Sequence, residues 1–280
     1  MSEDTIGTAA DPNGVAELEP GTVYLVGSGP GDPDLLTVKA KRLLESADVV
    51  LHDKLPGPKI IEMLPENGRE DVGKRAHGDR TSQSEINERL VELARDGKRV
   101  VRLKGGDSFV FGRGGEEAEY LAAHEIPFEV VPGVTSAIAA PAVAGIPVTH
   151  RDHASSVSFV TGHEDPTKPE SAVDWSALAA TGGTIVVLMG VGRLPDYTKA
   201  LHEAGMALET PVALVERGTW PNQQVATGTL ETIVDARDDA DISPPAVTVI
   251  GDVASSRDSV VDFLQNDSAK AGENAGEKRQ

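Results

Sequence analysis

The stretch that decides the fold is VVRLKGGDSFVFGRGGEE, residues 100–117. Its apolar start predicts a buried strand, five glycines follow in a polar loop, and the acidic pair at its end is typical of the start of a helix. Glycine lets backbone approach a ligand without a Cβ in the way. Because ligands bind at the carboxyl ends of parallel strands in open α/β sheets, this stretch predicts a ligand site in an α/β domain.

A second glycine-rich turn, VGSGPGD, lies near the start of the chain. It is part of a unit that reads as strand, turn, helix and strand, over residues 22–26, 26–32, 35–46 and 47–51. This order predicts a βαβ crossover, which again places the turn at the carboxyl edge of a parallel sheet.

The same turn allows an alternative interpretation as a dinucleotide site. Gly27 and Gly29 match the first two glycines of the fingerprint, and Asp53 follows at the distance expected for a ribose-binding acid. However, Asp32 stands where the third glycine belongs, and Pro30 removes a backbone donor from the turn. A dinucleotide oxidoreductase is therefore an alternative that the motif itself disfavours.

Strand and helix signals alternate along the rest of the chain. Ser82 and Glu85 form a capping box that predicts the start of a helix. Further strands are predicted at residues 72–75, 99–103, 128–131, 156–161, 184–189, 211–216, 224–229 and 246–251. Further helices are predicted at residues 56–64, 82–95, 116–124, 137–145, 175–180, 194–204, 230–236 and 252–264.

This alternation predicts an α/β fold with two α/β domains and a boundary near Pro132. The N-terminal α/β domain covers residues 21–132 and the C-terminal α/β domain residues 133–265. Residues 1–20 and 266–280 are polar and rich in small residues, so we expect a disordered arm and a disordered tail.

Composition limits the function classes. The 280-residue chain has 45 acidic and 26 basic residues, a net charge of −19, which disfavours nucleic-acid and anionic-membrane binding. It lacks cysteine, a run long enough to span a membrane and a secretory signal, so we expect a cytoplasmic protein. The acidic surface is typical of halophilic proteins, because salt near 1 M shortens the Debye length to about 3 Å.

Several motifs occur in one order: VYLVGSGPGDPDLLTVKA, DVVLHDKL, VGKRAH, RLKGGDSFVFGRGGEEAE, VPGVTSAIAAPAVAGIPVTHR, SSVSFVTGH and PPAVTVIGDV. Together they resemble the uroporphyrinogen-III C-methyltransferase family of the tetrapyrrole methylase superfamily, over residues 21–264. The resemblance implies two α/β domains with S-adenosylmethionine in the cleft between them, and a homodimer. It also implies two successive methylations of uroporphyrinogen III, at C2 and C7, giving precorrin-2 for sirohaem and cobalamin biosynthesis. The chain is too short for the extra modules of some members, so we expect a monofunctional enzyme.

The resemblance also assigns residues. Asp53 is implied as the proton acceptor and Lys74 as the proton donor. Contacts with S-adenosylmethionine are implied for Pro30, Gly105, Gly106, Asp107, Val110, Thr135, Ser136, Met189 and Gly218. Without the resemblance, Met189 reads equally well as core filler, Asp53 as a strand-end residue and Lys74 as a solvated cation.

The eight carboxylates of uroporphyrinogen require local cations, and arginine binds carboxylates with two parallel hydrogen bonds. Arg113 and Arg151 are the candidates for substrate binding, although either can instead form a surface ion pair. His150 and His153 have metal-like spacing but lack a third ligand motif, so we predict no metal site. A methyltransferase of a later corrinoid precursor and a catalytically silent S-adenosylmethionine-binding module remain as alternatives.

Overall fold

The computed structural model describes residues 18–73, 81–164, 166 and 172–261. Lys74, the predicted tail and most of the predicted arm therefore lie outside the described residues. Leu18 falls within the predicted arm, yet it is buried in the core beside Tyr24. Leu18 therefore packs with the first domain.

The first domain is a parallel five-stranded sheet with helices on both faces. The strand order is β3-β2-β4-β1-β5, so β4, which opens the deciding stretch, is central. The strands are β1 (Val23–Gly27), β2 (Val49–His52), β3 (Arg69–Asp71), β4 (Val100–Lys104) and β5 (Phe128–Val131). The helices are α1 (Val38–Ser46), α2 (Pro58–Glu62), α3 (Gln83–Arg95) and α4 (Gly114–Ala123).

Local sequence explains where these elements begin. Ser82 accepts from the backbone of Glu85 while the Glu85 side chain accepts from Ser82 N, which confirms the predicted capping box. Thr37 caps α1 in a similar way through its side chain. Asp48, before β2, forms a two-pronged ion pair with Arg99, before β4, and the hydrogen bond from Arg99 lowers the pKa of Asp48 to about 2.

The second domain contains a mixed sheet, in the order β6-β7-β10-β8-β9. Only β6 and β7 are parallel, while β10 pairs antiparallel with β7 and β8, and β8 pairs antiparallel with β9. The strands are β6 (Val157–Thr161), β7 (Thr184–Leu188), β8 (Pro211–Glu216), β9 (Gln224–Thr229) and β10 (Ala246–Ile250). The helices are α5 (Ser136–Val143), α6 (Trp175–Thr181), α7 (Leu194–Glu203) and α8 (Ile233–Asp239).

The two-domain α/β fold that the sequence predicted is present. The first sheet ends at Val131, and the buried alanines of α5 pack on Val186, Val215 and Val249 of the second sheet. For this reason we propose the domain boundary at Pro132–Gly133. None of the described helices is long and apolar enough to cross a membrane.

Candidate active site

Two loops of the first domain are joined main chain to main chain where β1 and β4 end. Gly29 N donates to Gly106 O over 3.0 Å, and Gly106 N donates to Gly29 O over 2.7 Å. Gly106 has a φ of +67°, a left-handed conformation that glycine adopts without a steric cost. This bridge fixes the turn after β1 against the loop after β4.

The third loop, after β5, is held against the first two by Asp107. One carboxylate oxygen of Asp107 accepts from Gly133 N over 3.0 Å, and the other accepts from Phe109 N over 2.8 Å. A Cβ on Gly133 would lie 2.3 Å from Gly106 O, and a Cβ on Gly27 would lie 2.6 Å from the same oxygen. The three loops can therefore meet only because both positions lack a side chain.

A loop of the second domain, between β8 and β9, reaches this edge of the first sheet. Trp220 Nε1 donates to Pro30 O over 2.9 Å, and its ring lies so close to Gly31 that a Cβ there would be 2.1 Å from Nε1. In the same loop Gly218 packs on α5, where an added Cβ would be 2.6 Å from the Cβ of Ala140. The edge is thus shared between the two domains.

Helix α5 also begins here. Thr135 caps the helix, its hydroxyl accepting from Ala137 N over 3.3 Å, and Ser136 N lies 3.3 Å from the place of a Cβ on Gly106. Most of the predicted donor contacts consequently lie in segments that touch one another: Pro30, Gly105, Gly106, Asp107, Thr135, Ser136 and Gly218.

Two predicted contacts lie apart from this group: Val110 is further along the loop after β4, and Met189 is on a separate segment after β7. Val110 belongs to the turn that Asp107 starts, its N–H donating to Asp107 O over 3.3 Å. Met189 follows β7 with a φ of +56° and is 54% exposed, which excludes the interpretation as core filler. A positive φ is uncommon for a residue with a side chain and marks segments held by their surroundings.

Asp53 follows β2 and lies at the carboxyl edge of the same sheet. One carboxylate oxygen accepts from Leu55 N over 2.8 Å, and the other lies 3.7 Å from a guanidinium nitrogen of Arg102. The Asp53 side chain is 27% exposed, whereas Arg102 is 3% exposed. A partly exposed carboxylate above a buried cation is suited to face a substrate.

Arg113, predicted to bind substrate, lies at the start of α4. It is 55% exposed and forms an ion pair with Glu116, with distances of 3.0 Å from Nε to Oε1 and 2.6 Å from Nη2 to Oε2. The hydrogen bond from Arg113 lowers the pKa of Glu116. Arg151 is exposed in the turn after α5. Lys74 lies outside the described residues, so its predicted role is not located.

A groove of about 450 Å³ lies between Phe111 and the segments around β6 and α6. Its walls are mainly apolar, and none of the predicted donor contacts lines it. A donor that carries a carboxylate, an ammonium and a sulfonium needs converging polar groups. The groove therefore lacks the set of polar groups that such a donor needs.

The histidine pair after α5 lies in the turn that the predicted metal-like spacing marked. The rings of His150 and His153 are 4.6 Å apart, and His150 Nδ1 accepts from Asp152 N over 3.1 Å. No group of three potential ligands that could hold a metal occurs among the described residues. The dinucleotide interpretation also lacks its geometry, because α1 begins only at Val38, well beyond the turn.

The family profile described as Tetrapyrrole (Corrin/Porphyrin) Methylases matches residues 22–234. This range contains the loops that form the glycine-rich edge. The chain belongs to the tetrapyrrole methylase family.

Relatives with known names and solved structures are similar to most of this chain. The chain is 58% identical to an S-adenosyl-L-methionine-dependent uroporphyrinogen III methyltransferase of Methanosarcina barkeri, over 83% of this chain and 92% of that protein. It is 48% identical to a siroheme synthase of Nitrosomonas europaea over 90% of this chain, but spans about half the length of that protein, 53%. The structure of a uroporphyrin-III C-methyltransferase of Thermus thermophilus, complexed with S-adenyl homocysteine, has a TM-score of 0.72 and 41% identity, covering 84% and 99% of the two chains.

The residues at the edge fit a methyl donor of this kind. The meeting loops approach so closely that a side chain at Gly27 or Gly133 would clash with backbone, so main chain rather than side chains forms this part of the edge. In addition, the hydroxyls of Ser108 and Thr219 are buried without a hydrogen-bond partner among the described residues. Both hydroxyls belong to loops that carry predicted donor contacts, so polar groups remain for a bound molecule.

Trp220 provides a direct test of this placement. We expect S-adenosylhomocysteine to change the fluorescence of Trp220, because the indole contacts Pro30 and Gly31, whereas Trp175 is 6% exposed in the core of the second domain. The change should disappear in Trp220→Phe and persist in Trp175→Phe. A change that persists in Trp220→Phe would place the ligand elsewhere.

Sequence reasoning missed three contributors to this edge. Gly133 was assigned no role, Trp220 was not considered, and Arg102 was taken as part of an apolar strand. The motifs VPGVTS and RLKGGD contain two of them, and a charged residue inside a buried strand signals a buried partner.

Proposed function

We propose that this chain is an S-adenosylmethionine-dependent uroporphyrinogen-III C-methyltransferase. It methylates uroporphyrinogen III twice, at C2 and C7, to give precorrin-2 for sirohaem and cobalamin biosynthesis. The observation that carries the proposal is the convergence of loops from both domains on one edge, in a chain 58% identical to a uroporphyrinogen III methyltransferase over 92% of that protein's length.

At the donor end the proposed contacts are mostly main chain. S-adenosylmethionine supplies a methyl group on a positively charged sulfur. The loops around Pro30, Gly106 and Gly218 hold the donor with backbone groups, while Thr135 and Ser136 add hydroxyls from the start of α5. Fixing the donor and the acceptor carbon in line accounts for a large part of the rate, because it removes translational and rotational freedom in advance.

At the acceptor end a pyrrole carbon attacks the methyl group. Attack becomes easier as the pyrrole N–H loses its proton, so a carboxylate beside the ring acts as a general base. Asp53 has this role in our proposal, since its carboxylate is partly exposed at the edge where the donor loops meet. Lys74 is proposed as the proton donor on the resemblance alone.

The function is tested by incubating the purified chain with uroporphyrinogen III and labelled S-adenosylmethionine under anaerobic conditions. We expect consumption of the porphyrinogen and a doubly methylated product identified by its mass. A folded protein that binds S-adenosylhomocysteine but returns the porphyrinogen unchanged would support the catalytically silent module instead.

A second candidate is methylation of a later corrinoid precursor. A cobalt precorrin-4 methyltransferase has a TM-score of 0.75 with this chain, although its sequence identity is only 30%. The higher identity to the uroporphyrinogen methyltransferase favours the first proposal. The same assay, repeated with a later corrinoid precursor, separates the two candidates. If the second candidate is correct, the corrinoid accepts the labelled methyl group and uroporphyrinogen III does not.

Arg113→Ala should weaken substrate binding without unfolding the protein. Because Arg113 is the exposed arginine at the start of α4, its loss removes one carboxylate partner, and we expect KM for uroporphyrinogen III to rise about tenfold with kcat nearly unchanged. The control is Arg89→Ala, which breaks ion pairs with Glu92 on α3 and with Glu70 on β3 and so removes at least as many charge contacts. An unchanged KM in Arg113→Ala would reject the substrate-binding role.

Three further expectations belong to this proposal: a second substrate arginine, Arg151, a homodimer, and a cytoplasmic protein adapted to high salt. Sedimentation at a mass near twice the 29.4 kDa of the chain would support the dimer.

The net charge of −19 predicts that added KCl raises the unfolding temperature, because screening relieves repulsion between carboxylates. A steady loss of stability with KCl would contradict the salt adaptation.

A further inference from the structure

Beneath Asp53 the first sheet contains charged side chains that the proposed reaction does not use. Arg102 and Lys104 lie on the central strand β4, and both are buried, as is Glu117 on α4. Burying charges is costly unless they are paired, so such a group in a sheet interior needs a reason. This group lies directly behind the carboxylate of Asp53, so its charges can act on that carboxylate.

Hydrogen bonds within the protein use most of the N–H donors of Arg102. Arg102 Nε donates to Glu117 Oε1 over 3.1 Å, and Nη1 donates to Leu103 O over 3.1 Å and more weakly to Leu51 O over 3.4 Å. A guanidinium has five N–H donors in a fixed planar fork. With these three used, the remaining nitrogen, Nη2, points toward Asp53 Oδ2 at 3.7 Å.

Glu117 keeps this fork from rotating. Its Oε1 accepts from Arg102 and also from Lys104 Nζ over 2.9 Å and Gln83 Nε2 over 3.0 Å. Burial lowers the pKa of Lys104, and the positive charge of Arg102 lowers it further, against the opposing influence of Glu117 and then Asp53. The carboxylate of Glu117 is thus an anchor shared by two helices and the central strand.

Asp53 is in turn held at two points. Leu55 N fixes one carboxylate oxygen from the loop side, and Arg102 attracts the other from the sheet side. The register of the sheet explains this approach, since Arg102 pairs with Leu51, two residues before Asp53. Among the described residues, Arg102 thus supplies the ion-pair contact from the sheet, and Leu55 supplies the hydrogen bond from the loop.

We propose that Arg102, anchored by Glu117, is the positioning residue that aims the carboxylate of Asp53 at the pyrrole substrate. The inference rests on the proposed function of Asp53 as general base. Arg102 does not touch the substrate; it acts by holding the ionised carboxylate in one orientation, because a planar guanidinium has a fixed direction that an ammonium lacks.

The test is Arg102→Lys, which keeps a cation beside Glu117 but removes the planar fork. We expect kcat to fall at least about tenfold, with KM for uroporphyrinogen III and the affinity for S-adenosylhomocysteine within about threefold. In an Asp53→Asn background the same change should cost less than about twofold, since the carboxylate to be positioned is gone. The control, Arg99→Lys, removes a guanidinium fork from the other end of the same strand segment and should leave kcat unchanged.

A tenfold fall that persists in the Asp53→Asn background would overturn the inference, because Arg102 would then act on stability or on another group. A crystal structure of Arg102→Lys gives a second readout: we expect the Asp53 carboxylate to be displaced, and an unmoved carboxylate would also overturn it. If Arg102→Lys does not fold, Glu117→Gln replaces it, with a smaller loss of kcat in the same direction. A wild-type protein without methyl transfer would refute the proposed function, while the crystal structure would still decide whether Arg102 positions Asp53.

Discussion

Asp53→Asn should lower kcat for methylation of uroporphyrinogen III by about 10²–10⁴, the usual contribution of a general base. The amide keeps the shape of the side chain and can still accept from Leu55 N, so the loop should not move. Affinity for S-adenosylhomocysteine should stay within about threefold, because the donor contacts lie on the neighbouring glycine loops. Single-turnover kinetics and calorimetric titration measure the two quantities separately.

Asp174→Asn is the matched control for this change. Asp174 caps α6 by accepting from Ala177 N over 2.9 Å, and asparagine caps helices about equally well. The methylation rate of Asp174→Asn should stay within about twofold of the wild-type rate. If Asp53→Asn kept the full rate, Asp53 would not act as a general base, and catalysis would depend on alignment of the reactants alone.

Gly133→Ala should disrupt the site through the backbone. The new Cβ would be 2.3 Å from Gly106 O and 2.7 Å from the carbonyl carbon of Gly27, and neither is the flexible end of a side chain. Relief requires the loops after β1, β4 and β5 to separate, so we expect a loss of about 3 kcal/mol or more in the free energy of unfolding, at the upper end for overpacking. Affinity for S-adenosylhomocysteine should fall at least about tenfold, or 1.4 kcal/mol.

The control is Gly115→Ala on α4, where an added Cβ meets nothing within 4 Å. Alanine favours helix over glycine by up to about 1 kcal/mol, so this variant should be neutral or slightly more stable. Denaturant unfolding of both variants, with their donor affinities, gives the comparison. Equal stability of the two variants would mean that the close contact of the three loops is not required.

Much of the first domain could be predicted from the sequence, because its strands and helices are marked by local sequence patterns. Glycine-rich turns directly after apolar strands predicted β1, β4 and the edge where they end, and the capping box at Ser82 predicted α3. The exception is β3, which is found at Arg69–Asp71; residues 72–73 of the strand predicted at 72–75 are not in a strand, and residues 74–75 lie outside the described residues. This edge strand is largely exposed, so it has no apolar alternation that would fix its position.

Strand direction in the second domain was not predicted, because parallel and antiparallel strands can share the same apolar pattern. The loop between β8 and β9 did contain a signal. It is far shorter than the dozen or more residues of a parallel crossover, so the two strands had to be antiparallel. Helix α8 begins at Ile233 rather than at residue 230, since Leu230 is buried in the turn that precedes it.

The charged group behind Asp53 depends on contacts between distant segments. Arg102 and Glu117 belong to the stretch that opened the sequence analysis, yet local patterns describe one as part of an apolar strand and the other as a first-turn acid of α4. Only the parallel register of β2 and β4 brings Arg102 next to Asp53. Sequence patterns thus located the edge of the site, while tertiary packing determined which cation supports the carboxylate.

Peptide groups form most of the edge where β1, β4 and β5 end, and Asp107 commits both carboxylate oxygens to backbone N–H groups there. A protein engineer who wants this enzyme to accept a bulkier synthetic alkyl donor therefore has few side chains to exchange. Accessible side chains among the described residues include Leu55, which lies against Gly105 and is 56% exposed, and Met189, which follows β7 and is 54% exposed. Altered donor selectivity should come from libraries at these two positions, since changes to the glycines would abolish the edge itself.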